Sequence, residues 1–82
     1  MTTEEIKREC IKHIGKTYEC NDNKWYKHGQ AVSMTITGVK QDWYGITVLN
    51  SMTFTDGYST PADSYSCDGL GFLMWLKQTR QG

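Results

Sequence analysis

With 82 residues, nine Lys/Arg and nine Asp/Glu, the chain is long enough for one domain and carries no formal net charge. That balance excludes an acidic nucleic-acid mimic and a strongly basic protein that coats nucleic acid. Aromatic residues make up 12%, including Trp25, Trp43 and Trp75, which separates the chain from disordered sequences; its size leaves little room for a deep cleft or a large cofactor.

The first predicted element is a helix over 3–14. Thr2 and Glu5 have capping-box spacing, in which each side chain satisfies an orphan backbone N–H of the first turn. Glu4 and Glu5 also sit where the helix dipole favours negative charge. At about 100° per residue, Ile6, Cys10, His13 and Ile14 share one face, with Ile11 at its edge and Arg8, Glu9 and Lys12 toward water. Gly15 supplies the stop, because it takes the left-handed conformation without steric cost.

A short strand is expected over 16–20, a turn at Asn21-Asp22-Asn23, and a further strand beginning at or flanked by Trp25-Tyr26. From Gln30 to Val39 the sequence alternates, predicting Val32, Met34 and Ile36 inward and Ser33, Thr35 and Thr37 outward. Lys40-Gln41-Asp42 reads as the loop of a hairpin whose second strand runs from Trp43 to Leu49, with Tyr44, Ile46 and Val48 inward. Residues 52–55 continue the β character, and Asp56-Gly57 predicts a tight turn into 58–60. Pro61 excludes a central strand there. The segment 67–80 reads as a helix capped by Ser66 or Asp68, although its apolar residues surround the axis and Gly69 and Gly71 disfavour it. The expected fold is α+β: one domain over 1–82 with an N-terminal helix, a small, strongly curved antiparallel sheet of four to five strands, and a C-terminal helix. An SH3-like or Sm-like barrel satisfies the same strand lengths.

Three cysteines at irregular spacing, Cys10, Cys20 and Cys67, make no disulfide framework, and free thiols suit the reducing cytoplasm. The opening Met1-Thr2-Thr3-Glu4-Glu5 is the opposite of a signal peptide, and the apolar run 70–76 falls far short of the roughly 20 residues that span a bilayer. A cytoplasmic protein without a membrane partner is expected.

For chemistry, Cys10, His13, Cys20, His28 and Cys67 include zinc-ligand types, yet they lack the paired spacing of a finger or ribbon, so no metal and no cofactor are expected. Asp56, Asp63 and Asp68 occupy turn-like or cap-like settings, and Asp68-Gly69-Leu70-Gly71 lacks the Lys and Ser/Thr of a phosphate loop. No residue is assigned a catalytic role, and the chain is read as non-enzymatic.

The aromatic and methionine content points instead to binding. Interface cores are enriched in Trp, Tyr, Phe and Met, and the candidate partner-binding residues are Trp25, Tyr26, Trp43, Tyr44, Phe72 and Trp75. The apolar segment 70–76 adds the expectation of a two-fold homodimer. In size and composition the chain is similar to the small single-domain accessory proteins of phages and mobile elements. That similarity implies an inhibitor or adaptor that binds a larger host or defence protein. The alternative is a small barrel that binds a small ligand or single-stranded nucleic acid, in the latter case stacking bases on Trp25 and Tyr26 between Lys24 and Lys27, with Lys16 and Lys40 nearby.

Overall fold

A computed structural model describes residues 2–20 and 24–80; the turn predicted at 21–23 lies outside the described residues. The order is α1 (Thr3–Ile11), β1 (Thr17–Glu19), β2 (Ala31–Asp42), β3 (Gly45–Phe54), β4 (Tyr65–Asp68) and α2 (Gly69–Arg80). The strands form one antiparallel sheet in the order β1-β2-β3-β4, and both helices pack on the same face. The α+β class holds. The sheet is open, with β1 and β4 as opposite edges, so neither barrel forms. A three-residue β1 and a four-residue β4 offer too little length to bring the edges together.

The capping box of α1 forms as predicted: Glu5 N–H donates to Thr2 Oγ1 at 3.2 Å, and Thr2 N–H donates to Glu5 Oε1 at 3.4 Å. The helix ends at Ile11, earlier than expected. His13 N–H and Ile14 N–H donate to the carbonyls of Cys10 and Ile11, a tightening to three-residue turns before Gly15 takes φ 89°. That tighter winding rotates Ile14 off the inward face, and it is exposed rather than buried.

The core unites Cys10 of α1, Met34 and Ile36 of β2, Ile46 and Val48 of β3, and Phe72 and Leu76 of α2. The inward phase of β2 differs from the simple alternation. A register shift between Ala31 and Ser33 buries Ala31 and turns Val32 outward, and a second follows Ile36. Each inserted residue resets the period-two pattern and bends the strand. Asn50 is the one buried polar residue among those described, and its Oδ1 has no hydrogen-bond partner. Leaving such a group unpaired costs about 1–3 kcal/mol.

β4, which the sequence pattern does not announce, leads directly into α2. Asp68 caps the helix, its Oδ2 accepting the Gly71 N–H at 2.9 Å. Gly69 is required where α2 crosses β3, since a Cβ there would lie 2.9 Å from Ile46 Cγ2 and 3.1 Å from the Ile46 carbonyl oxygen. Phe72 and Leu76 face the core, whereas Leu70 and Met74 lie on the outer side. No helix among the described residues is long and apolar enough to cross a membrane.

Candidate functional site

The β2–β3 hairpin places its turn at Trp43-Tyr44, two to three residues beyond the expected loop. Asp42 is responsible. Its Oδ1 accepts the N–H groups of Tyr44 (2.9 Å) and Gly45 (3.2 Å), and Gly45 takes φ 134° to return the chain. Asp at the first and Gly at the fourth position of a turn is the signal that locates it in the sequence. Tyr44 therefore does not face inward. Trp43 and Tyr44 are 85% and 81% exposed, and their rings lie against each other with centroids 3.9 Å apart and a tilt of 31°. The ladder beneath them runs without interruption from Asp42↔Gly45 to Gly38↔Leu49. An apolar pair is thus held in water on a rigid β support.

The similar dipeptide Trp25-Tyr26 lies at the other end of the hairpin. Twelve residues of β2 separate the two by roughly 35–40 Å at about 3.3 Å per residue. Tyr26 and Gly29 exchange backbone hydrogen bonds of 2.8 and 3.1 Å around a tight turn. Trp25 is 77% exposed, whereas the Tyr26 ring packs edge-on to buried Phe54 at 5.4 Å. Next to them, His28 Nδ1 lies 2.8 Å from Asp56 Oδ2, and the His28 and Tyr58 rings stack at 4.0 Å. This cluster ties the β1–β2 connection to the one after β3.

The six candidate partner-binding residues therefore fall in three places. Phe72 is 3% exposed and belongs to the core, where its ring meets His13 and Tyr18 edge-on. Trp75 is half-buried against the same core. The candidate lysines do not converge either. Lys24 and Lys27 precede β2, Lys16 aligns with mid-strand Ile36 through a 3.0 Å backbone bond, and Lys40 lies near the tip. The cysteines and histidines also disperse. Cys10 Sγ faces the Gly69 carbonyl at 3.7 Å, His13 Nδ1 bonds the Tyr18 hydroxyl, and His28 pairs with Asp56. Among the described residues, no three metal-ligating side chains come together.

Of four groups displaced from their ordinary values among the described residues, Glu9, Cys10, Asp56 and Cys67, two bear on these clusters. Burial, reinforced by Cys67, Asp68 and Glu9, pushes the Cys10 thiol up to about 11, so at neutral pH it stays a protonated core group. The Tyr58 N–H donating to Asp56 Oδ1 at 2.8 Å, and then His28, hold the Asp56 carboxyl below its ordinary range. A depressed folded-state value adds stability above the unfolded value and loses it as pH falls through the folded one. Asp56→Asn is accordingly expected to flatten the acid side of the melting temperature against pH below about pH 4. An acid limb identical to that of the wild type would remove Asp56 as its source.

No protein-family model matches the chain, and no curated protein or solved structure matches it either.

Proposed function

We propose that the protein is a non-enzymatic docking module that inserts the Trp43–Tyr44 tip into an apolar pocket of a larger protein, as an inhibitor or adaptor. The observation that carries this reading is the exposed pair of rings in mutual contact above an uninterrupted ladder from Gly38↔Leu49 to Asp42↔Gly45. Large aromatic anchors with two rotatable bonds lose little entropy when buried, and they dominate interface energetics. Holding the anchors on paired strands lowers the ordering cost further. A two-fold dimer is compatible with this use of the tip, with exposed Leu70 and Met74 on α2 as the self-contact.

The test places a photoreactive aromatic amino acid at position 43 in cells that naturally carry the protein. One discrete adduct is expected, competed by excess wild-type protein and not by W43A/Y44A, whose melting temperature stays within about 2 °C of the wild type. Adducts that the double variant competes as well as the wild type does would overturn the reading.

A second reading rests on Trp25, 77% exposed and flanked by exposed Lys24 and Lys27: stacking of single-stranded nucleic acid at the opposite end. It requires quenching of Trp fluorescence by an oligonucleotide at low salt, reversed as salt rises.

A further inference from the structure

The edge of β2 is only partly covered. Ile36 spends both backbone groups on the strand side occupied by β1, its N–H donating to the Lys16 carbonyl (3.0 Å) and its carbonyl accepting the Gly15 N–H (2.7 Å). Beyond Ile36, β1 has ended and the register shift resets the phase. Asp42↔Gly45 closes the two-residue turn as a hydrogen-bonded pair, so Lys40 and Gly38 also bond inward to β3. The N–H and C=O groups of Val39 and Gln41 then point outward, and no backbone partner for them occurs among the described residues. Half of a twelve-residue strand is left as an open template.

Beside that edge lie a recess on α1 and an excess of positive charge. A shallow recess of about 230 Å³ runs along α1, lined by Glu4, Lys7, Arg8 and Ile11. Lys7 joins it to the strand, its Nζ donating to Gln41 Oε1 at 3.3 Å. Side chains of an added strand opposite Val39 and Gln41 would point to the helix-covered face, toward Lys7. The cations bordering the slot are Lys7, Arg8, Lys16 and Lys40; the acids are Glu4, Asp42 and, at the Gly38 end, Asp63, of which Asp42 Oδ1 is engaged in the turn and Asp63 Oδ1 by the Thr37 hydroxyl.

We infer that an extended acidic segment of the partner protein adds to the β2 edge over Gly38–Asp42, its carboxylates reaching Lys7 and Arg8. The inference rests on the protein-docking reading and names the backbone form and charge of what docks. Backbone pairing supplies affinity in strand addition, and alternate side chains supply specificity. A second copy is the competing occupant of the same edge. Pairing Val39 with the other copy's Gln41 sets Lys40 against Lys40, whereas pairing Gln41 with Gln41 sets Lys40 against Asp42. The second copy is therefore separated by experiment: concentration-dependent shifts at 38–42 in the free protein would assign the edge to it and overturn the inference.

The probe is an acetylated, amidated Thr-Glu-Thr-Glu-Thr peptide, titrated into isotope-labelled full-length protein by NMR, with Thr-Lys-Thr-Lys-Thr as control. Expected are shifts concentrated on 38–42, slowed exchange of the Val39 and Gln41 amides, and weakening with salt. Gln41→Pro removes an outward N–H that the β3 ladder does not use, so it should fold and weaken binding by at least about tenfold. The recess variant K7E/R8E tests the charge and leaves the strands intact, and it should abolish the preference for the acidic peptide. Absence of shifts at 38–42, equal binding of the Lys peptide, or wild-type affinity in both variants would overturn the inference. If the photo-adduct at position 43 is still competed when the peptide fails, the tip reading stands and the edge assignment falls. If the peptide binds the edge and the adduct is not competed, docking belongs to the edge and the tip is dismissed.

Discussion

Phe72→Ala should lower the unfolding free energy by about 3–5 kcal/mol, through lost transfer energy and the cavity left behind. The ring sits where α1, β1 and α2 meet, edge-on to His13 and Tyr18 with centroids 5.5 and 6.2 Å away, and Trp75 stacks beyond it at 6.4 Å. None of these neighbours can collapse far, since His13 is tied to Tyr18 and Tyr18 to a strand paired with β2. An 82-residue domain has only about 4–12 kcal/mol in total at 0.05–0.15 kcal/mol per residue, so the variant stands close to the unfolding threshold. Urea denaturation followed by far-UV circular dichroism measures the loss. A change below about 1 kcal/mol would show that Phe72 is not a core residue, since exposed positions rarely exceed half that value.

Gly29→Ala comes next in size, at about 3 kcal/mol, and its cause is backbone geometry. Gly29 has φ 98°, which any other residue adopts only with strain. A Cβ there would also lie 1.9 Å from Thr55 Oγ1. That hydroxyl cannot simply rotate away at no cost, because it accepts the Gln30 N–H at 3.2 Å and lies 3.4 Å from the His28 carbonyl. The two penalties act together on the tight turn beside Trp25. The substitution should therefore open this end first. Amide exchange ought to accelerate at Tyr26 and Thr55 before it does in the β2–β3 ladder near the tip. Uniform acceleration across the sheet would mean that the turn does not open separately. By contrast, Gly57→Ala has nothing within 4 Å to strike and carries only the conformational cost of its φ of 89°.

Much of this architecture is legible in the residues themselves. The Thr2/Glu5 box, the left-handed backbone at Gly15 and the Asp68 cap each express one local hydrogen bond or one backbone conformation, and local rules recover them, although α1 itself ends at Ile11, short of Gly15. What escaped depended on partners distant in sequence. β4 holds four residues, and Tyr65 and Cys67 take their direction only from pairing with Asn50 and Val48. The outward turn of Val32 follows from a register shift against β3, which no alternation in β2 reveals. At the candidate site, Trp25-Tyr26 and Trp43-Tyr44 look alike as dipeptides. They differ because the Tyr26 ring meets buried Phe54, whereas among the described residues the Tyr44 ring meets that of exposed Trp43. Burial of Phe72 and exposure of Leu70 and Met74 likewise depend on which side of α2 meets the sheet. A helix apolar around its whole circumference does not specify that side.

The nearest-neighbour order of the strands has a kinetic consequence. Each strand pairs with the one adjacent to it in the chain, and the longest ladder is closed by two residues. Loop-closure entropy is therefore small at the first step, and the β2–β3 hairpin is the natural nucleus, on the microsecond scale of hairpin formation. The contact of Cys10 with Gly69, 59 positions apart, joins the two ends of the chain and must come late. Perturbations of the hairpin ladder should then slow folding, while those at the α1–α2 contact should chiefly hasten unfolding.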